Sequence, residues 1–142
     1  LEHKLLYARK EEIPEGEYTI PLGKASVKRE GKDLTIISWS REVNFSMEAA
    51  EALSKEGIDA EVLDLRSLVP LDWVIVSEEV KRGSYAGELS AQIAEELFDE
   101  LDAPVERVCG LNICSPFSPV LEDKNFPHPE NIVQAVKHVL NK

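Results

Sequence analysis

Leu34-Thr35-Ile36-Ile37-Ser38, the stretch from Asn44 to Gly57, and Ala60-Glu61-Val62-Leu63-Asp64 together decide the fold. The first run is β-branched and almost continuously apolar, as in a strand covered on both faces. In the second, Met47, Ala50 and Leu53 form one stripe, with Glu48, Glu51 and Lys55 outside it. Asn44 is placed to cap this helix and Gly57 to end it. The third run is another short strand. Strand, helix, glycine and strand make a βαβ unit and therefore a parallel sheet.

On the N-terminal side, Ala25, Val27 and Arg29 alternate, and Glu30-Gly31-Lys32-Asp33 is a turn. Residues 1–23 have a charged, Pro- and Gly-containing composition that reads as a linker, the alternative being an N-terminal strand with a polar loop. On the C-terminal side, Asp72 opens an expected helix over residues 73–81, with Trp73, Val76 and Val80 inward. A second helix is expected at 88–101, where Leu89, Ile93, Leu97 and Leu101 recur every four residues and Phe98 widens the stripe. Val105 to Cys109 is a candidate strand, residues 111–127 are irregular, and a last helix starts at Pro129 with Ile132, Val136, Val139 and Leu140 inward. Two helices in succession at 73–101 leave the sheet one strand short near residues 82–83.

The chain has 142 residues, 43% apolar and 30% charged, which suits one globular domain. Its net charge of −11 opposes nucleic acid and anionic membranes and suits a basic protein partner. No apolar run reaches the 18 or so residues that a membrane helix takes. Cys109 and Cys114 are too few for a disulfide scaffold, so a reducing compartment is expected. The start at Leu1, without Met or signal-peptide pattern, reads as a piece of a longer polypeptide.

Little in the chain carries chemistry by itself. There is no phosphate loop and no dinucleotide fingerprint. Gly83 and Gly87 flank a helix start that either holds an anion or is a flexible turn. Cys109 and Cys114 are spaced C-x4-C, which signals metal or redox use only weakly; they read as packed thiols. His3, His128 and His138 form no evident cluster, so a Cys/His nucleophile is a remote alternative. Asp64 and Arg66 sit at a strand end, as ligand contacts or as a loop anchor. The acidic run Glu95 to Asp102 is either a solvated face or a surface for a basic partner. From the residues alone, a structural or docking module is favoured over an enzyme.

Several strings, in order, resemble a known family. They include Ile13-Pro-Glu-Gly-Glu-Tyr-Thr-Ile-Pro-Leu-Gly-Lys24, Ser40-Arg41-Glu42-Val43, Leu53-Ser-Lys-Glu-Gly-Ile58, Asp64-Leu-Arg66, Pro70-Leu-Asp72, Leu101-Asp-Ala-Pro104 and Leu121-Glu-Asp123. The chain resembles the C-terminal domain of the E1 β subunit of 2-oxo acid dehydrogenase complexes, leaning toward the pyruvate branch, with acetoin and branched-chain members as neighbours. The segment Leu1 to Tyr7 resembles the tail of that subunit's preceding domain, which puts the C-terminal domain at residues 24–142.

The resemblance implies a three-layer α/β fold like that of the C-terminal domain of transketolase, a mostly parallel sheet with helices on both faces. It implies an α2β2 oxidoreductase that uses thiamine diphosphate and Mg²⁺, decarboxylates a 2-oxo acid and acylates lipoyl-E2. Neither the cofactor nor any catalytic or metal ligand is carried onto this fragment, which is expected to be inactive alone. The implied partners are the E1 α subunit, a second E1 β subunit and the peripheral-subunit-binding domain of E2. Asp102, in the Leu-Asp-Ala-Pro string, and Lys142, with its terminal carboxylate, are the implied E2 contacts. A bacterial or archaeal cytoplasm is favoured as the location, with the mitochondrial matrix as the alternative. The other readings are a small free-standing cysteine enzyme and a regulatory domain of another transketolase-like enzyme.

Overall fold

The β-branched runs do form the centre of a sheet. The computed structural model describes residues 6–8, 10, 12–21, 24–66, 75–101 and 103–140, without the side chain of residue 100. Five strands, β1 (Ser26–Arg29), β2 (Leu34–Ser38), β3 (Ala60–Asp64), β4 (Ile75–Val80) and β5 (Arg107–Gly110), lie in the order β1-β3-β2-β4-β5. β1 runs antiparallel to β3, and every other pairing is parallel. The helices are α1 (Glu42–Lys55), α2 (Tyr85–Glu96), α3 (Pro119–Asp123) and α4 (Pro129–Val139).

Strand alternation sorts the core into two halves. Ile36, Val62, Val76 and Val108 face α1 and α4, which contribute Ala49, Ala50, Leu53, Ile132 and Val136. Ile37, Leu65 and Ile75 face α2, which contributes Ala86, Leu89 and Ile93. The three-layer α/β architecture, a mostly parallel sheet with helices on both faces, is therefore the one expected.

α1 ends as a glycine-terminated helix should. The Ile58 N–H donates to Leu53 O at 3.0 Å and the Gly57 N–H to Ser54 O at 3.1 Å, with Gly57 at φ +81°. These two bonds are the Schellman pair, and Leu53 and Ile58 are both buried beside it. The turn between β1 and β2 is pinned differently. Lys32 and Asp33 donate their N–H groups to Asp59 O, and the Asp59 N–H donates to Asp33 Oδ2 at 2.8 Å. Gly31 lies so close to the Ala60–Glu61 backbone that a Cβ would overlap it.

Four expectations change. Residues 75–80 are strand β4, not part of a helix over 73–81. The consecutive residues Ile75 and Val76 are both fully buried, on opposite faces, which a parallel strand does and an amphipathic helix stripe does not. The strand thought absent near 82–83 is thus β4 itself, directly before the glycine turn. α1 starts at Glu42, and Asn44 lies inside it, its Nδ2 donating to Arg41 O at 3.2 Å. α2 covers Tyr85–Glu96, not 88–101; a 3₁₀ turn follows at Phe98–Glu100 and leaves Phe98 exposed. The region 111–127 also contains the short helix α3.

Among the described residues the element in short supply is a helix. From β3 to β4 the chain must cross β2, and residues 65–74 are fewer than the dozen or more that a helical crossover takes. α1 links β2 to β3 on one face. The other face carries α2. There, among the described residues, no helix covers the β1–β3 half. Val27 is half exposed, and Thr35 Oγ1 donates to Glu61 Oε1 at 3.0 Å.

Candidate functional site

In an open α/β sheet the place to look is beyond the carboxyl ends of the strands, where the strand order reverses. Here that point lies between β2 and β4. β2 ends at the buried Ser38, and the chain turns through Ser40, at φ +57°, into Arg41 and Glu42 at the start of α1. β4 brings Glu78 to the same place. Arg41 Nη1 meets Glu78 Oε1 at 3.2 Å, and its guanidinium lies over the rings of Phe45 and Phe126 at 4.7 and 5.8 Å.

Glu42 is only 2% exposed. Burial above all, then the Glu78 charge and a hydrogen bond with Glu78, push its carboxyl up to about 8, against the pull of Arg41. Glu42 therefore keeps its proton at neutral pH, beside Glu78, which pairs with Arg41. The Oγ atoms of Ser38 and Ser46 and Oδ1 of Asn125 are buried without a partner among the described residues. This cluster fastens the start of α1 to the end of β4. Within it Glu42 is sealed from solvent, so its acid is held away from any substrate.

The sequence-derived candidates are dispersed. Asp64 Oδ1 accepts the Arg66 N–H at 3.2 Å and Oδ2 meets Lys28 Nζ at 3.7 Å, which is the loop-anchor reading. At the start of α2 the Tyr85 N–H donates to Glu79 Oε2 at 2.9 Å, so the chain supplies its own anion there; Gly83 makes the turn and Gly87 lies in the helix. Cys109 is half-buried, and burial pushes its thiol up, against the pull of Arg107 and Lys81, which weakens it as a nucleophile; Cys114 is exposed.

His128 precedes α4, stacks at 5.8 Å on Phe45 and places Nε2 2.8 Å from Asp123 O. His138 meets Glu106 at 3.4 Å, a carboxylate from outside its own helix. Glu95, Glu96 and Asp99 are exposed. His3, Asp102 and Lys142 lie outside the described residues. Sequence reasoning missed the Glu42–Glu78 pair, because an acid in a helix's first turn reads as an ordinary dipole complement. Nothing in the order of residues announces a partner 36 positions away.

Among the described residues no group of three or more His, Cys, Asp or Glu side chains stands where it could hold a metal ion. At the α2 start Glu79 takes the Tyr85 N–H that a phosphate would need, and at the α1 start the Glu78 carboxylate is taken up by Arg41.

Comparison with known proteins agrees with this architecture. Residues 23–132 match the family described as transketolase, C-terminal domain. The chain is 46% identical over 153 residues to the pyruvate dehydrogenase E1 component subunit beta of Porphyra purpurea, covering 99% of this chain and 46% of that one. It is 44% identical over 154 residues to the acetoin:2,6-dichlorophenolindophenol oxidoreductase subunit beta of Bacillus subtilis, covering 99% and 45%.

A solved structure, a split gene transketolase described as an inactive β4 tetramer, superposes with a TM-score of 0.72 at 29% identity, over 87% of this chain and 44% of that one. The chain spans about half the length of the curated relatives it matches. Alignments of 153 and 154 residues exceed its 142, so these relatives carry residues with no counterpart here, in keeping with the short β3–β4 crossover. Sheet order, helix placement and the match over most of the chain lead to one assignment: the chain belongs to the transketolase C-terminal domain family.

Proposed function

We propose that residues 24–142 are the C-terminal domain of the β subunit of a thiamine diphosphate-dependent 2-oxo acid dehydrogenase E1, with residues 1–23 as linker and tail of the preceding domain. One observation carries this reading: nearly the whole chain aligns, at 46% identity, with about half of an E1 β subunit. In the complete enzyme thiamine diphosphate and Mg²⁺ would supply the decarboxylation chemistry, from parts outside this domain. The domain itself packs β against β within an α2β2 assembly and docks the peripheral-subunit-binding domain of E2. Pyruvate is the proposed 2-oxo acid. The 44% identity to an acetoin oxidoreductase subunit favours acetoin as the second reading.

The net charge of −11 supports docking of a basic domain, through faster encounter and fixed register. Asp102 is the proposed contact, with Lys142 and its carboxylate nearby. A bacterial or archaeal cytoplasm is the proposed setting, with the mitochondrial matrix as the alternative. Asp102→Ala is expected to weaken association with the E2 domain by about tenfold at low salt, and by less at high salt, where exposed charges are screened. Equal affinity of the two proteins at low salt would remove the docking role. Turnover of pyruvate by this chain alone, with thiamine diphosphate and Mg²⁺, would overturn the division of labour.

A further inference from the structure

Among the described residues β5 pairs with β4 alone, so its outer edge is open, and the groove along it is cationic in an acidic chain. Glu106 O accepts the Ile75 N–H at 3.4 Å, and in a parallel ladder that bond sets the alternation. Glu106, Val108 and Gly110 turn their backbone groups toward β4, while Arg107 and Cys109 turn theirs outward. Leu111 continues the outward set, and its N–H donates to Asn125 O at 3.2 Å. Asn125 O thus meets the end of this edge, and among the described residues no strand pairs with Cys109 or Arg107 on that side.

A groove of about 410 Å³ runs there, floored by β5 and walled by α4 and residues 124–127. Among the described residues that line it, Lys81 and Lys124 are cations, and Arg107 is a third whose Nη1 donates to Lys81 O at 2.9 Å. Glu106, shared by Lys81 at 3.5 Å and His138 at 3.4 Å, is the one carboxylate among them. Asn125, 4% exposed, lines the same groove with its Oδ1 unpartnered among the described residues.

Edge strands are the natural template for an added strand, and the side chains along the edge select its chemistry. We propose that this groove binds an extended acidic peptide segment of a partner protein, which adds to the sheet beside β5. The outward N–H and C=O groups of Arg107 and Cys109 hold the peptide backbone, and Lys81 and Lys124 meet its carboxylates. Such a partner is opposite in charge to the basic domain proposed for the acidic surface, so the two can fail separately.

The test is fluorescence anisotropy on the full chain with a labelled peptide of alternating Val and Glu. Three further ligands are used: its Val/Gln counterpart, a copy N-methylated at alternate residues, and free glutamate as competitor. Binding of the Val/Glu peptide is expected, with at least tenfold loss for the Val/Gln and the N-methylated peptides. The exposed-site variant Lys124→Glu should lose at least fivefold with its thermal unfolding unchanged. Amide exchange at Arg107 and Cys109 should slow in the complex. No binding, equal binding of the N-methylated copy, or full competition by free glutamate at equal carboxylate concentration would each overturn the proposal.

Discussion

Glu42 carries the clearest consequence of a single residue's surroundings. Its carboxyl titrates at about 8 in the folded chain and near its ordinary value of 4.5 when unfolded. Below about pH 4.5 both states hold the proton. Between the two values the unfolded chain releases it and the folded chain does not, so stability falls as pH rises through that window. The slope is at most ~1.4 kcal/mol per pH unit for one proton, and it levels off above about 8. Glu42→Gln keeps the neutral shape and cannot ionise. It is expected to flatten this slope and to be the more stable protein at pH 8, as urea unfolding from pH 5 to 9 would read. Parallel pH profiles for the two proteins would contradict the raised carboxyl of Glu42.

At the scale of elements, two glycines do different work. Gly57 sits at φ +81° with nothing near the place of a Cβ. Gly57→Ala therefore costs only the left-handed backbone penalty, about 1–2 kcal/mol. At Gly31 the obstacle is the neighbouring backbone of Ala60 and Glu61. Relief there needs the β1–β2 turn to move off β3, so Gly31→Ala is expected to cost clearly more than Gly57→Ala. Thermal unfolding of the two variants side by side checks the order.

Gly57 was readable as a helix stop because its role is local. The role of Gly31 depends on a strand that passes about thirty residues later. The error over β4 has a similar origin. Trp73, Val76 and Val80 fit a helical spacing, but the burial of Ile75 and Val76 on opposite faces depends on having helices above and below.

For the whole molecule the telling feature is uneven cover. One face of the sheet carries α1 and α4, and the other carries α2 and, over its β1–β3 half, no helix among the described residues. The half-exposed Val27 lies opposite Leu63 on that side. Placing about a dozen residues of amphipathic helix in the β3–β4 crossover should bury this strip. The melting temperature is expected to rise by several degrees, at roughly 4 °C per kcal/mol for a domain of this size. Binding of a hydrophobic dye should fall in parallel. A longer crossover that leaves both unchanged would show that the strip is already covered.

Local order was enough for β2, β3, α1 and α4, because β-branched runs, a stripe at helical spacing, a helix-ending glycine and an N-terminal proline act within a few residues. It also disclosed the net charge of −11. The Glu42–Glu78–Arg41 cluster and the cationic groove along β5 were decided by tertiary structure. Each joins residues from distant strands and helices, and their proximity exists only once the sheet has placed β2 beside β4 and left β5 at the edge.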